Sequence, residues 1–246
     1  MKWIYLSPHL DDVVLSCGGI IWQQRSAGED VEVWTLCAGD PPPGKISTYA
    51  TQLHARWKLL KEPVAARREE DQQACQILGV KWQHFGLPDI IYRRQPGGDF
   101  QIRADEDLFR PLSPYKENLV PLLAGQLKSE LPADARVVSP MGVGGHTDHR
   151  MTRAIAERLP HELWYYPEFP YTARHPGAMD SLISPDWTEV TYTVSAQALS
   201  AWQTAIAAYR SQISTFWQSE SDMRVSLEAY WYADGGKRLW RANVKK

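Results

Sequence analysis

The sequence predicts an α/β three-layer sandwich, a mostly parallel sheet with helices on both faces, and three observations carry that prediction. Short apolar runs rich in β-branched and aromatic residues alternate with longer stretches that keep apolar residues at helical spacing. Two motifs of histidines and aspartates each lie after such a run, where ligands bind in parallel sheets. A chain of 246 residues, 43% hydrophobic and 23% charged, has the size and balance of one undivided α/β domain.

In chain order, Trp3 to Ser7 is a short apolar run of the kind buried on both faces of a sheet. After Pro8-His9-Leu10-Asp11-Asp12, helical spacing runs from Val13 through Trp22 to Ala27-Gly28. Gly18 and Gly19 cost helix propensity there and are expected to admit a neighbouring strand. Val31 to Leu36 is the second strand, and the Pro- and Gly-rich 39–44 stretch a loop. Leu53 to Leu60 reads as a short helix. Pro63 opens the next one, which runs over 64–78 to Gly79. Val80 to Phe85 is the third strand, and residues 90–113, without periodicity, form a long mobile loop beside the site. Tyr115 to Leu131 is helical, Ala135 to Pro140 a strand, and 150–159 helical. Beyond Pro160, Leu163 to Tyr166, Val190 to Val194 and Val225 to Tyr232 read as strands, and Ala196 to Ile213 as a helix. The expected organisation is one domain over 1–246, with a core over about 1–160 and a C-terminal extension over about 161–246.

Composition excludes several classes of function. Twenty-seven basic and 29 acidic side chains leave a formal charge of -2, too little field to recruit nucleic acid. No stretch approaches the roughly twenty apolar residues that cross a bilayer, and the N-terminus is charged too early for a signal peptide. Cys17, Cys37 and Cys75 are odd in number and lack CxxC spacing, so they read as reduced thiols in a cytoplasmic protein.

The chemistry lies in two clusters. His9, Asp11 and Asp12 after the first strand fit either a metal site or a helix cap; the second cluster, His146-Thr147-Asp148-His149 after the fourth strand, decides for a site. Catalytic zinc takes three imidazole or carboxylate ligands and keeps a position open. His9 and Asp12 with one of His146 and His149 supply such a set, leaving Asp11 and the other histidine uncommitted. A carboxylate beside a ligand is placed to take a proton from water, and a spare histidine to meet the developing oxyanion or leaving amine. Hydrolysis of an amide or ester follows.

The Pro8-His9-Leu10-Asp11-Asp12 and His146-Thr147-Asp148-His149 pair, with Arg67 and Glu70 at RxxE spacing before Leu78-Gly79-Val80, resembles the LmbE-like (PIG-L) family of zinc-dependent de-N-acetylases. Tyr209-Arg210-Ser211-Gln212 resembles a recurrent C-terminal segment of that family. The resemblance implies a Rossmann-like fold and removal of acetyl groups from N-acetylglucosamine units of glycolipids, thiol-sugar conjugates or antibiotics. It implies His9, Asp12 and His149 as metal ligands and Asp11 as general base, with His146 the electrophile or general acid and Asp148 its orienting partner. Arg67 and Asp89 are implied to hold the sugar. The implied cofactor is Zn2+, with another divalent ion such as Fe2+ the alternative, and the implied partner is a small-molecule or glycoconjugate substrate. Two departures stand out: Leu10 replaces a commoner proline, and Gly144 stands where some relatives carry a tyrosine that stabilises the transition state.

Competing readings are a sugar-binding protein without turnover and a metal-dependent phosphoesterase. Arg67 also fits a solvated helix face of local ion pairs. His54, His84, His161 and His175 read as surface or hydrogen-bonded structural residues.

Overall fold

A computed structural model describes residues 1–112, 114–175 and 177–243, with no account of the side chains of 114–117. Its sheet has seven strands: β1 (Lys2–Ser7), β2 (Asp30–Thr35), β3 (Lys81–His84), β4 (Arg136–Pro140), β5 (Glu162–Tyr166), β6 (Thr188–Thr191) and β7 (Arg238–Arg241). The order is β3-β2-β1-β4-β5-β7-β6. The first five are parallel, and β7 runs antiparallel to both neighbours. Order reverses between β1 and β4, whose C-terminal ends carry the two polar motifs side by side.

The sheet is covered on both faces. On one, α1 (Asp12–Ser26) and α3 (Pro63–Leu78) pack with α7 (Ala196–Ala207) and α9 (Glu220–Tyr232) around Tyr5, Ile20, Leu78, Trp202 and Leu227. On the other, α4 (Pro114–Glu130) and α5 (Thr147–Ala156) cover Ile4, Leu6 and Val137 of the sheet, with Ile155 of α5 in the same core. Three strands, α7 and α9 come from beyond residue 160.

Gly18 and Gly19 do allow a close approach, but to a helix rather than a strand. A Cβ on Gly18 would lie 2.9 Å from Trp202 Nε1 on α7, and one on Gly19 2.7 Å from Val194 Cγ1. The indole thereby reaches α1 and donates to Val14 O at 2.7 Å.

Several elements differ from the sequence-based expectation. The helix expected over 53–60 is α2 (Thr48–Arg56): Ser47 Oγ caps it, and Lys58 takes φ 58°, which stops it. The stretch expected as a mobile loop contains two 3-10 turns, Ile90–Tyr92 and Asp105–Phe109. Ile90, Ile91 and Tyr92 are buried in a small core with Leu10 and Tyr49, so apolar anchoring fixes the loop where periodicity was silent. Its last residue, 113, lies outside the described residues. The helix expected over 196–213 breaks into α7 and α8 (Arg210–Phe216), because Glu70 on α3 accepts hydrogen bonds from Ser211 N and Oγ and draws the chain aside. Val225 to Tyr232, expected as a strand, belongs to α9, which Ser219 caps and in which Met223 and Leu227 face the core at helical spacing. The last strand is β7, which the sequence pattern did not suggest.

Candidate active site

Both motifs turn at strand ends. After β1 the chain passes His9 and enters α1 at Asp12, with Asp11 at φ 151°, ψ -36°, a conformation L-residues rarely adopt. Asp11 makes no side-chain capping bond, so its carboxylate is not spent on the helix. After β4, Gly142, Gly144 and Gly145 all take positive φ and deliver His146 to the start of α5. There His146 is itself the cap: its Nδ1 accepts from Asp148 N at 3.2 Å.

The largely buried carboxylate of Asp12 joins the two halves. Its Oδ2 lies 3.0 Å from His9 Nδ1 and 3.3 Å from His149 Nε2, so three donor atoms from two motifs converge. The far nitrogens of both rings also meet buried carboxylates. His9 Nε2 lies 3.2 Å from Asp148 Oδ2, and His149 Nδ1 lies 3.1 Å from Glu168 Oε1. Metal-binding histidines characteristically use their second nitrogen in this way, which fixes the ring and raises its basicity. The donor set therefore fits a divalent cation. His9, His146 and His149 also lie close enough to form a candidate group of their own, and His9, Cys37 and Asp148 a third. In the third, Arg93 Nη2 already occupies Asp148 Oδ2 at 2.8 Å, so a cation would meet a guanidinium.

Charges follow this geometry. Burial opposes ionisation of Asp12, but His149 and His9 overcome it and hold the carboxyl well below its usual range. Burial also opposes protonation of His149, yet Asp12 and Glu168 raise it to about 9. Burial and the Asp12 charge push Asp11 up to about 8, against the pull of Arg67 and His9. His146 stays neutral, its pKa driven well down by burial and by its two neighbouring histidines. Since its Nδ1 accepts a backbone N–H, its ring proton sits on Nε2.

Arg67 is buried rather than solvated. Its Nη2 donates to Leu10 O at 3.1 Å and lies 3.5 Å from Asp11 Oδ2, and its guanidinium stacks 4.7 Å from the Trp57 ring. It grips Asp11 while also lining the cavity. Asp89 caps the first 3-10 turn through Oδ1 and turns Oδ2 to within 3.9 Å of His9 Nε2. The Asp148 carboxylate does not meet His146; it binds His9, Arg93 and Ile90 N, and its Oδ1 is buried without a partner. Among the other histidines, His84 pairs with Asp71 at 2.7 Å and His54 with Tyr92 at 2.7 Å.

Sequence reasoning missed Glu168, Arg93 and Tyr171. Glu168 stands just after β5, the strand beside β4, so the same strand-end rule that located the two motifs applied to it. Arg93 carried no local signal. The cavity over the site, of about 330 Å³, is walled by Trp57, Phe109 and Phe216 and floored by the histidines.

This scaffold and site have the parts that a metal-assisted hydrolase needs: convergent donors, a carboxylate held in reserve and a cavity above them. The chain belongs to the PIG-L family, whose profile, described as GlcNAc-PI de-N-acetylase, matches residues 4–159. It is 27% identical to a 2'-N-acetylparomamine deacetylase of Niallia circulans, over 97% of this chain and 93% of that protein. Among solved structures, the zinc-inhibited form of teicoplanin deacetylase Orf2 superposes with a TM-score of 0.81 at 28% identity, covering both chains completely. The A40926 pseudoaglycone deacetylase Dbv21 does so with a TM-score of 0.76 at 25% identity, over 98% of this chain and 96% of that one.

Proposed function

We propose that this protein hydrolyses the N-acetyl group of an N-acetylglucosamine-type sugar conjugate, using a divalent cation, zinc, held by His9, Asp12 and His149. The observation that carries this reading is the convergence of Asp12 Oδ2 on a nitrogen of each histidine, with Asp11 kept out of the cluster by Arg67. Deacetylase relatives across nearly the full chain support it.

A cation bound there would polarise the acetyl carbonyl and acidify water. Asp11, next to a ligand and turned toward the cavity, takes the proton as a water oxygen bonds to the carbonyl carbon. His146, neutral with its proton on Nε2, donates a hydrogen bond to the oxygen that gains charge, the role of an electrophile rather than an acid. When the C–N bond breaks, Asp11 returns its proton to the amine, leaving acetate and a free amino sugar. Asp148 and Glu168 keep the two ligand rings in place. Arg67 and Asp89, at the cavity wall, contact sugar hydroxyls, and the aromatic wall accepts the apolar face of the ring or its aglycone. Among the described residues no helix is long and apolar enough to cross a membrane. The three buried, unpaired cysteines support a reducing compartment such as the cytoplasm.

The test is acetate release from aryl N-acetylglucosaminides and amino-sugar antibiotics. Activity should vanish on chelation and return with metal, and a series of divalent ions identifies the best one. Asp11→Asn should lower kcat by about 100- to 10,000-fold while metal content is kept. An unimpaired Asp11→Asn removes Asp11 as base. Absence of acetate release from metal-loaded protein across the panel leaves a sugar-binding role, and phosphate release from phosphoesters would replace the deacetylase reading altogether.

A further inference from the structure

Few of the cavity's hydrogen-bond donors are both uncommitted and open to it: Trp57 Nε1 and Thr215 Oγ1 lack partners among the described residues but are fully buried. Arg67 Nη2 is engaged by Leu10 O and Asp11, the Tyr49 hydroxyl donates to Asp105 at 2.6 Å, and the Gln212 amide donates to Ser211. Tyr171 lines the same cavity and, among the described residues, its hydroxyl has no hydrogen-bond partner. Its ring is closely fixed. It stands edge-on to His149, with centroids 6.1 Å apart and planes at 87°. It also fills the space over Gly144, where a Cβ would come within 2.7 Å of Tyr171 Cδ1 and 2.9 Å of Cγ. Gly144 takes φ 81° as well, so both the backbone there and the seat of the phenol depend on the missing side chain. Tyr171 follows Glu168 by three residues, and Glu168 is the carboxylate behind His149. One short segment thus places a phenol and orients a metal ligand together.

We propose that Tyr171 is a catalytic residue, its hydroxyl being a second hydrogen-bond donor, beside His146, to the oxyanion formed when water adds to the acetyl carbonyl. This rests on the deacetylase reading above. The phenol keeps its proton throughout and forms no covalent bond; it strengthens one hydrogen bond as negative charge gathers on the oxygen.

Tyr171→Phe keeps the ring in its seat and removes only the hydroxyl. In the zinc-loaded protein acting on p-nitrophenyl N-acetyl-glucosaminide, kcat should fall about 100- to 1,000-fold, the range for losing one oxyanion donor, with KM little changed. A purely structural ring predicts kcat as in the wild type, and that result overturns the proposal. A binding arm uses the methylphosphonamidate of glucosamine, which has tetrahedral, charged oxygens where the acetyl carbonyl stands. By calorimetry Tyr171→Phe should lose affinity for this analogue by a similar factor while binding glucosamine equally. Equal affinity for the analogue, or no binding of it to the wild type, overturns the proposal. Failure of the wild type to release acetate would count against the deacetylase reading alone, and the analogue arm would still decide the role of Tyr171.

Discussion

Replacing Glu168 by glutamine tests the support behind the site without touching any of the proposed metal ligands. Glu168 is almost wholly buried and accepts three hydrogen bonds: Gly142 N at 2.7 Å and His149 Nδ1 at 3.1 Å on Oε1, and Val143 N at 3.0 Å on Oε2. A carboxylate can accept on both oxygens, but an amide offers only one. With its oxygen in the Oε1 place, the new NH2 group faces the Val143 N–H; turned over, it faces both Gly142 and His149. The cheaper orientation leaves one buried donor opposed, costing about 1–3 kcal/mol, and weakens the bond to His149 by removing its charge assistance. The sum is about 2–4 kcal/mol, which in a chain of this length lowers Tm by roughly 5–12 °C in the metal-free protein. Metal affinity should fall about 10- to 100-fold, the usual effect of losing such a partner and equivalent to about 1.4–2.8 kcal/mol. Calorimetric melting of chelator-stripped protein and zinc competition against a chromophoric chelator measure the two effects. Unchanged zinc affinity together with an unchanged Tm would refute the argument that Glu168 orients His149.

Two further outcomes follow from the same geometry. With Asp12 and Glu168 raising it to about 9, against burial, His149 is protonated in the metal-free protein at pH 7. Metal uptake must then expel about one proton or more, and affinity should climb as pH rises toward 9. The sign for stability is the opposite: a pKa above the ordinary 6.5 contributes stability that is fully present below that value and is lost as pH rises through about 9. Calorimetric heats that do not depend on buffer ionisation would contradict this. Gly18→Ala sets helix propensity against packing. Alanine gains about 1 kcal/mol in a helix, but its Cβ would lie 2.9 Å from Trp202 Nε1 and closer still to Cδ1, and overpacking costs about 1–3 kcal/mol. A lower denaturant midpoint is expected; a higher one would show that α7 yields freely.

The sequence by itself determined the strands β1 to β5, the helices α1 and α3, and the chemical identity of both motifs. Each of these depends on periodicity or on residue type within a few positions, and such signals survive without knowledge of the fold. The rule that ligands gather at the ends of parallel strands was enough to bring His9, Asp11 and Asp12 into one crevice with His146 and His149, beyond the ends of β1 and β4. Local pattern could not settle whether residues 225–232 form a strand or a helix, because the deciding contacts are Met223 and Leu227 against a core made by distant elements. Nor could it divide the roles among polar residues. The pattern around Arg67 also fitted a solvated helix face; folding buries it against Asp11. Asp148 was expected to orient its neighbour His146, but α5 turns its carboxylate inward to His9 and Arg93 and leaves only its backbone N–H to His146. Glu168 and Tyr171 reach the site from beyond the matched family region, 159 residues and more from His9 in sequence, on the segment after β5. A charge or hydrogen-bond donor acts over a few ångströms of space, and only the tertiary structure decides which residues come within that distance.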